Sequence, residues 1–132
     1  MILYLLIALG GAIGSVSRFM LDGVVSNWLG ATFPWGTFVI NVSGSFAIGF
    51  FATLTGPEGR IFVGPTGRRF FMTGICGGYT TFSSFSLQTL TLANDEQWML
   101  AGANVVFSVV CCLVAVWLGH LAALWINFRK GI

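Results

Sequence analysis

Gly74-Ile75-Cys76-Gly77-Gly78-Tyr79-Thr80-Thr81-Phe82-Ser83-Ser84-Phe85-Ser86 is the stretch that decides how this chain is read. It lies inside an uncharged run, residues 70–94, long enough to cross a membrane, which takes about 20 helical residues. Yet a Gly-Gly pair sits near its middle, and six hydroxyl side chains occupy the eight residues 79–86. Each glycine costs about 1 kcal/mol in a helix interior. Non-helical backbone at that depth persists only where protein buries it or a polar cavity or ion satisfies it. The stretch therefore predicts a discontinuous helix, unwound around residues 77–80. Its freed carbonyls could hold a cation, and the amides opening the second half would form a positive dipole end. The competing reading is a continuous helix with a glycine-packed crossing and hydroxyls bonded back to their own carbonyls.

The rest of the chain sets that stretch in a membrane. It has 132 residues, of which 56% are hydrophobic and 8% charged, against about 25% charged in an ordinary soluble domain. That excludes a soluble enzyme, and a net charge of +2 from six scattered basic residues excludes a phosphate-tracking nucleic-acid binder. The charges fall into four clusters: Arg18 and Asp22; Glu58, Arg60, Arg68 and Arg69; Asp95 and Glu96; Arg129 and Lys130. The uncharged runs between them predict helices at about residues 2–21, 33–55, 69–92 and 98–127. The expected fold is thus an all-α membrane protein, one four-helix transmembrane domain over residues 1–132. The first run has no basic residues before its apolar core and is too long for a signal peptide, so it is expected to stay as a helix.

Four spans put both termini on one side, with Arg60, Arg68, Arg69, Arg129 and Lys130, against Arg18 alone on the other. The positive-inside rule then places the termini in the cytoplasm of a multi-pass protein of the cell (inner or plasma) membrane. Trp28, Trp35, Trp98 and Trp125 read as interfacial anchors. Gly10 and Gly14, and Ser45 and Gly49, recur at a four-residue spacing that lets helix backbones approach closely, as expected in an oligomer. Cys76, Cys111 and Cys112 match no metal spacing and read as small apolar fillers; His120 reads as interfacial or packed.

Phe82 and Phe85 are three apart and share a helix face, with serines around them. Ring edges are electropositive, so two rings interleaved with hydroxyl donors could accommodate a small anion. Simple packing is the plainer alternative. Asn41, in an otherwise apolar helix, either bonds a neighbouring helix or marks a pathway. A small dual-topology drug exporter also has four helices, but proton coupling needs a carboxylate inside a span. None is expected here, with Asp22 read at a helix end. A non-conducting, holin-like assembly would not need the broken helix.

Residues 77–86 closely resemble the third-helix signature of the Fluc (CrcB) fluoride channels. Gly10-Gly11-Ala12-Ile13-Gly14 with Arg18, and Trp35-Gly36-Thr37 through Asn41 to Gly44, support the resemblance. It implies a channel rather than an enzyme: an antiparallel, dual-topology homodimer of four-helix subunits with two pathways that export fluoride passively. It also implies a structural Na⁺ at the dimer interface, on the carbonyls of Gly77 and Thr80 from both subunits. Phe82 and Phe85 become the pore phenylalanines, Asn41 the pore asparagine, Ser83 and Ser84 pathway hydroxyls, and Arg18 the basic residue of a vestibule. Asn104 and Ser108 begin a polar track on the fourth helix, which departs from the family pattern at Cys112 and Val116. Gln88 stands where the family usually has an acid. The five-to-one basic bias admits an oppositely oriented paralogue as the partner.

Overall fold

The computed structural model describes residues 1–128, and among them every regular element is helical. Helix α1 spans Ile2–Leu29, α2 Trp35–Leu54 and α6 Trp98–Phe128. These three are long and apolar enough to cross a membrane. The segment between α2 and α6 is composite. A short α3 (Pro65–Arg69) runs into a π-helical stretch, Phe70–Cys76, then α4 (Gly77–Tyr79); after an interruption α5 follows, Phe82–Asn94.

The first helix is longer than its charge pattern implied, ending at Leu29 rather than near residue 21. Arg18 and Asp22 do not stop it, since a charged side chain leaves the backbone ladder intact. Gly30 stops it, adopting φ 82°, a left-handed conformation, and returning its N–H to the Ser26 carbonyl at 3.0 Å. Asp22 therefore lies within a helix, but beside the start of α2. Its Oδ1 fills the space a Cβ on Gly36 would take, where the N-terminal dipole of α2 favours an anion. Pro34 stands just outside α2, as its N-cap. Arg129 and Lys130 lie outside the described residues.

The glycine pairs pack within the chain. A Cβ on Gly14 would fall 2.2 Å from the Ile75 carbonyl oxygen, one on Gly10 2.7 Å from that of Phe70, and one on Gly78 2.4 Å from that of Gly11. So α1 meets the π-helical stretch and α4 backbone to backbone. α2 meets α6 likewise, where Cβ atoms on Gly49 and Gly119 would each fall 2.3 Å from a carbonyl oxygen of the other helix, those of Val116 and Phe46. Lipid supplies no hydrophobic drive between helices, and such close contact replaces it with dispersion. The spacing expected to serve an oligomer thus closes the subunit itself.

Beyond that crossing, α2 and α6 are tied by Thr53 Oγ1 to His120 Nδ1 (2.8 Å) and by Asn127 Nδ2 donating to the Thr53 carbonyl (3.4 Å). Arg68 donates to the Ala52 carbonyl (3.3 Å) and to Thr55 Oγ1, placing a cation at the carbonyl end of α2.

Candidate functional site

The break in the third segment falls at Thr80 (φ −79°, ψ 155°) and Thr81 (φ −151°, ψ 115°), both extended. The glycines do not unwind: Gly77 keeps φ −65° and ψ −35°, and α4 runs through Gly78 to Tyr79. The expected position, residues 77–80, is thus corrected to residues 80–81, and the physical reason is packing. Gly78 lacks a side chain so that α1 can approach, and the interruption comes where other groups replace the helical hydrogen bonds.

Asn41 supplies most of that replacement. Its Oδ1 accepts the Thr81 N–H at 2.8 Å and its Nδ2 donates to the Thr81 carbonyl at 3.0 Å. Thr81 is itself the N-cap of α5: its Oγ1 accepts the Ser84 N–H at 3.2 Å and exchanges hydroxyl bonds with Ser83 (3.1 Å) and Ser84 (3.2 Å). In an unbroken helix the Thr81 amide would bond to the Gly77 carbonyl, and the Ser84 amide to that of Thr80. Both donors are diverted. The Gly77 and Thr80 carbonyls, the pair expected to hold Na⁺, are therefore among those deprived of their helical partners, and both residues line one cavity. Main-chain oxygens are the donors a hard cation takes, so the residues present fit such an ion.

That cavity, of about 410 Å³, lies between α2, the third segment and α6. It gathers Asn41, Phe82, Phe85 and Ser108 from the expected set, beside Cys76 and Cys112. The Phe82 and Phe85 ring centroids are 5.2 Å apart at 49°. Phe85 is 8% exposed, whereas Phe82 is 76% exposed. Arg18 and Ser84 line a different cavity of about 380 Å³ between α1, α2 and α5, with Asp22, Thr37 and Gln88. Thr81 borders both cavities. It was missed as a site residue, although a Thr three positions before a Ser at a helix restart is an N-cap signal.

The structure does not bring Ser83 or Asn104 into either cavity. Ser83 is turned to Thr81. Asn104 is 2% exposed and donates to Thr89 Oγ1 at 2.8 Å, while Thr89 donates to the Phe85 carbonyl at 2.8 Å. Ser108 donates to Asn104 Oδ1 at 3.3 Å. Thr89 therefore links the polar residues of α6 to the main chain at Phe85. A lone Thr on an amphipathic helix gave no signal of that. Val116 is absorbed in the α2–α6 crossing against Gly49. Ser86 and Thr91, like Thr89, bond back to carbonyls of their own helix. Gln88 Oε1 is buried with no hydrogen-bond partner among the described residues, so its need for a donor falls to whatever occupies the cavity it lines.

Asn41, which lines the cavity, uses one amide hydrogen on Thr81 and has a second. With Phe82, Phe85 and Ser108 it lines a largely apolar space that holds no charged side chain among the described residues.

Comparison with known proteins supplies the family. The chain is 68% identical over 131 residues to the fluoride-specific ion channel FluC of Opitutus terrae, covering 99% of each chain. It is 62% identical over 124 residues to the protein of that name from Rhodospirillum rubrum, covering 94% of this chain and 96% of the relative. It is 61% identical over 127 residues to that from Paramagnetospirillum magneticum, covering 96% and 99%. The model of the CrcB-like protein family, also described as camphor resistance (CrcB), matches residues 5–120. With that match spanning most of its length, and with its long apolar helices, this multi-pass membrane chain belongs to the CrcB family.

Proposed function

We propose that this chain is a fluoride-specific channel that lets fluoride leave the cytoplasm passively. The observation that carries the ion is the 68% identity, over 99% of both chains, to a protein of that name. What supports the path is the interruption at Thr80–Thr81, which opens beside a cavity holding both phenylalanines and Asn41. Fluoride holds its water tightly, so a path must substitute other donors for hydration. In this reading the second Asn41 amide hydrogen, the ring edges of Phe82 and Phe85 and the Ser108 hydroxyl do so. Ser108 must first turn its hydrogen away from Asn104. Arg18, with Ser84, lines the vestibule that draws the anion in, and Ser83 and Asn104 support the path through Thr81 and Thr89.

In this reading the composite segment Pro65–Asn94 is the third of four spans. The functional unit is an antiparallel homodimer whose second copy covers the open face of Phe82. The Gly77 and Thr80 carbonyls of both copies would hold a structural Na⁺, which supplies positive potential beside the anion path and joins the subunits. An oppositely oriented paralogue is the other partner the charge bias allows. A reporter fused to the C-terminus separates the two: labelling from both sides of the membrane supports the homodimer, and labelling from the cytoplasmic side alone removes it.

The central test is fluoride efflux from liposomes, read with a fluoride electrode. The wild-type chain is expected to release fluoride and retain chloride. Phe82→Ile and Phe85→Ile keep apolar bulk but remove the ring edge, and each is expected to cut efflux at least about tenfold, a loss of roughly 1.4 kcal/mol. Undiminished efflux in both folded variants would refute the ring-edge role.

A further inference from the structure

The cavity that holds the phenylalanines is also lined by sulfur. Met72 and Cys76, four apart in the π-helical stretch, face it from one side, and Cys112 faces it from α6. All three cysteines of the chain are free thiols. Cys111, next to Cys112 in sequence, does not line the cavity, because one residue turns an α-helix by about 100°.

Among the described residues the cavity wall carries no carboxylate or imidazole, so a hard ion is left with neutral oxygens such as the Gly77 and Thr80 carbonyls, whereas the sulfurs suit a softer ion. Two thiols and a thioether are a soft donor set, and such ligands select Cu(I) and similar d¹⁰ ions. The surrounding walls strengthen that choice. Ile48, Val109 and Leu113 contribute only carbon, and uncompensated charge is costly in such surroundings. A monovalent cation that displaces one thiol proton leaves no net charge: Cys–SH + M⁺ gives Cys–S–M + H⁺. The S–H bond breaks, an S–M bond forms, the proton goes to water and no oxidation state changes. The second thiol and the Met72 thioether then complete the coordination as neutral donors.

We propose that this cavity is a binding site for a soft monovalent metal ion, cuprous or silver, held by Cys112, Cys76 and Met72. The same space holds Phe82, Phe85 and Asn41, so the bound ion blocks conduction. That consequence rests on the channel reading, whereas the binding does not.

The test uses the full chain, purified in detergent and titrated with silver nitrate in chloride-free buffer. Silver retained after gel filtration is counted by mass spectrometry, and silver–thiolate bonds are followed by ultraviolet absorbance. Wild-type and Cys111→Ser chains are expected to hold silver equally tightly. Cys112→Ser and Cys76→Ser, which exchange a single atom, are expected to weaken it by at least about tenfold, with Met72→Leu weakening it less. In liposomes, silver is expected to stop fluoride efflux by wild type but not by Cys112→Ser. Equal loss of silver in Cys111→Ser and Cys112→Ser, or wild-type affinity no higher than that of a Cys76→Ser/Cys112→Ser double variant, would overturn the site. Tight silver binding in a chain that releases no fluoride even without silver upholds the site and removes the channel reading instead.

Discussion

The two halves of the third segment adjoin in sequence and are built on opposite principles. The half before Thr80 is held by α1 through glycine: Gly74 and Gly78 face Gly10, Gly11 and Gly14 with main-chain atoms almost touching. The half after Thr81 carries hydroxyls and aromatic rings, touches α6 over less of its surface, and leaves Phe82 76% exposed. Both line the cavity, the first half with Met72, Cys76 and Gly77 and the second with the two rings, but only the first is anchored backbone to backbone. Asn41 stands at the junction and makes the change of character affordable, since it replaces the hydrogen bonds the break gives up. Anchoring half a helix by its backbone frees the other half to be polar inside a membrane.

The largest effect that could break this contrast is expected at Gly78. Its Cβ would fall 2.4 Å from the Gly11 carbonyl oxygen, and backbone cannot yield as a side-chain tip can. Gly78→Ala should cost about 3 kcal/mol or more, the upper range for overpacking, and abolish the monodisperse gel-filtration peak. Normal yield and melting temperature in that variant would mean that the two backbones are not in contact.

Next is the junction. Asn41→Leu leaves the Thr81 N–H and C=O without their partners, at about 1–3 kcal/mol for each unsatisfied group. The expected result is a lower melting temperature together with lost fluoride efflux. Asn41→Asp keeps the acceptor for the Thr81 amide and should recover part of the stability. Equal stability in Asn41→Leu and wild type would remove Asn41 as the brace.

Thr89→Val probes the polar half at smaller cost. It leaves Asn104 Nδ2 buried without an acceptor, worth about 1–2 kcal/mol, and removes the side-chain donor to the Phe85 carbonyl. Thermal unfolding should shift accordingly, while a shift confined to efflux would mean that Asn104 finds another partner. The smallest effect is expected one residue from the largest. A Cβ on Gly77 meets nothing nearer than the Met72 carbonyl oxygen at 3.8 Å, so Gly77→Ala should leave the fold of the single chain intact. If Gly77→Ala and Gly78→Ala unfold alike, the adjacent glycines do not differ as the packing says.

Much of this was legible in residue order. Long uncharged runs gave three apolar helices within a few residues at most ends, because burial of backbone in lipid forces helix wherever apolar residues continue. Residues 77–86 announced a broken third segment, and Phe82 and Phe85 on its far side do line the cavity. The end of α1 was misplaced because charge was taken as a stop signal, when the left-handed turn at Gly30 is what ends the helix.

What sequence alone determined is the membrane class, the existence of a break and the residue types available to an anion, since these follow from composition and local chemistry. The tertiary structure decided which glycines serve contact rather than flexibility, that Asn41 reaches forty residues along the chain to hold Thr81, that Thr81 and Thr89 belong to the site, and that Met72, Cys76 and Cys112 share one cavity. Those are relations between distant segments. A hydrogen bond or a crossing too close to admit a Cβ depends on where two backbones meet, and no local pattern of residues encodes a crossing point.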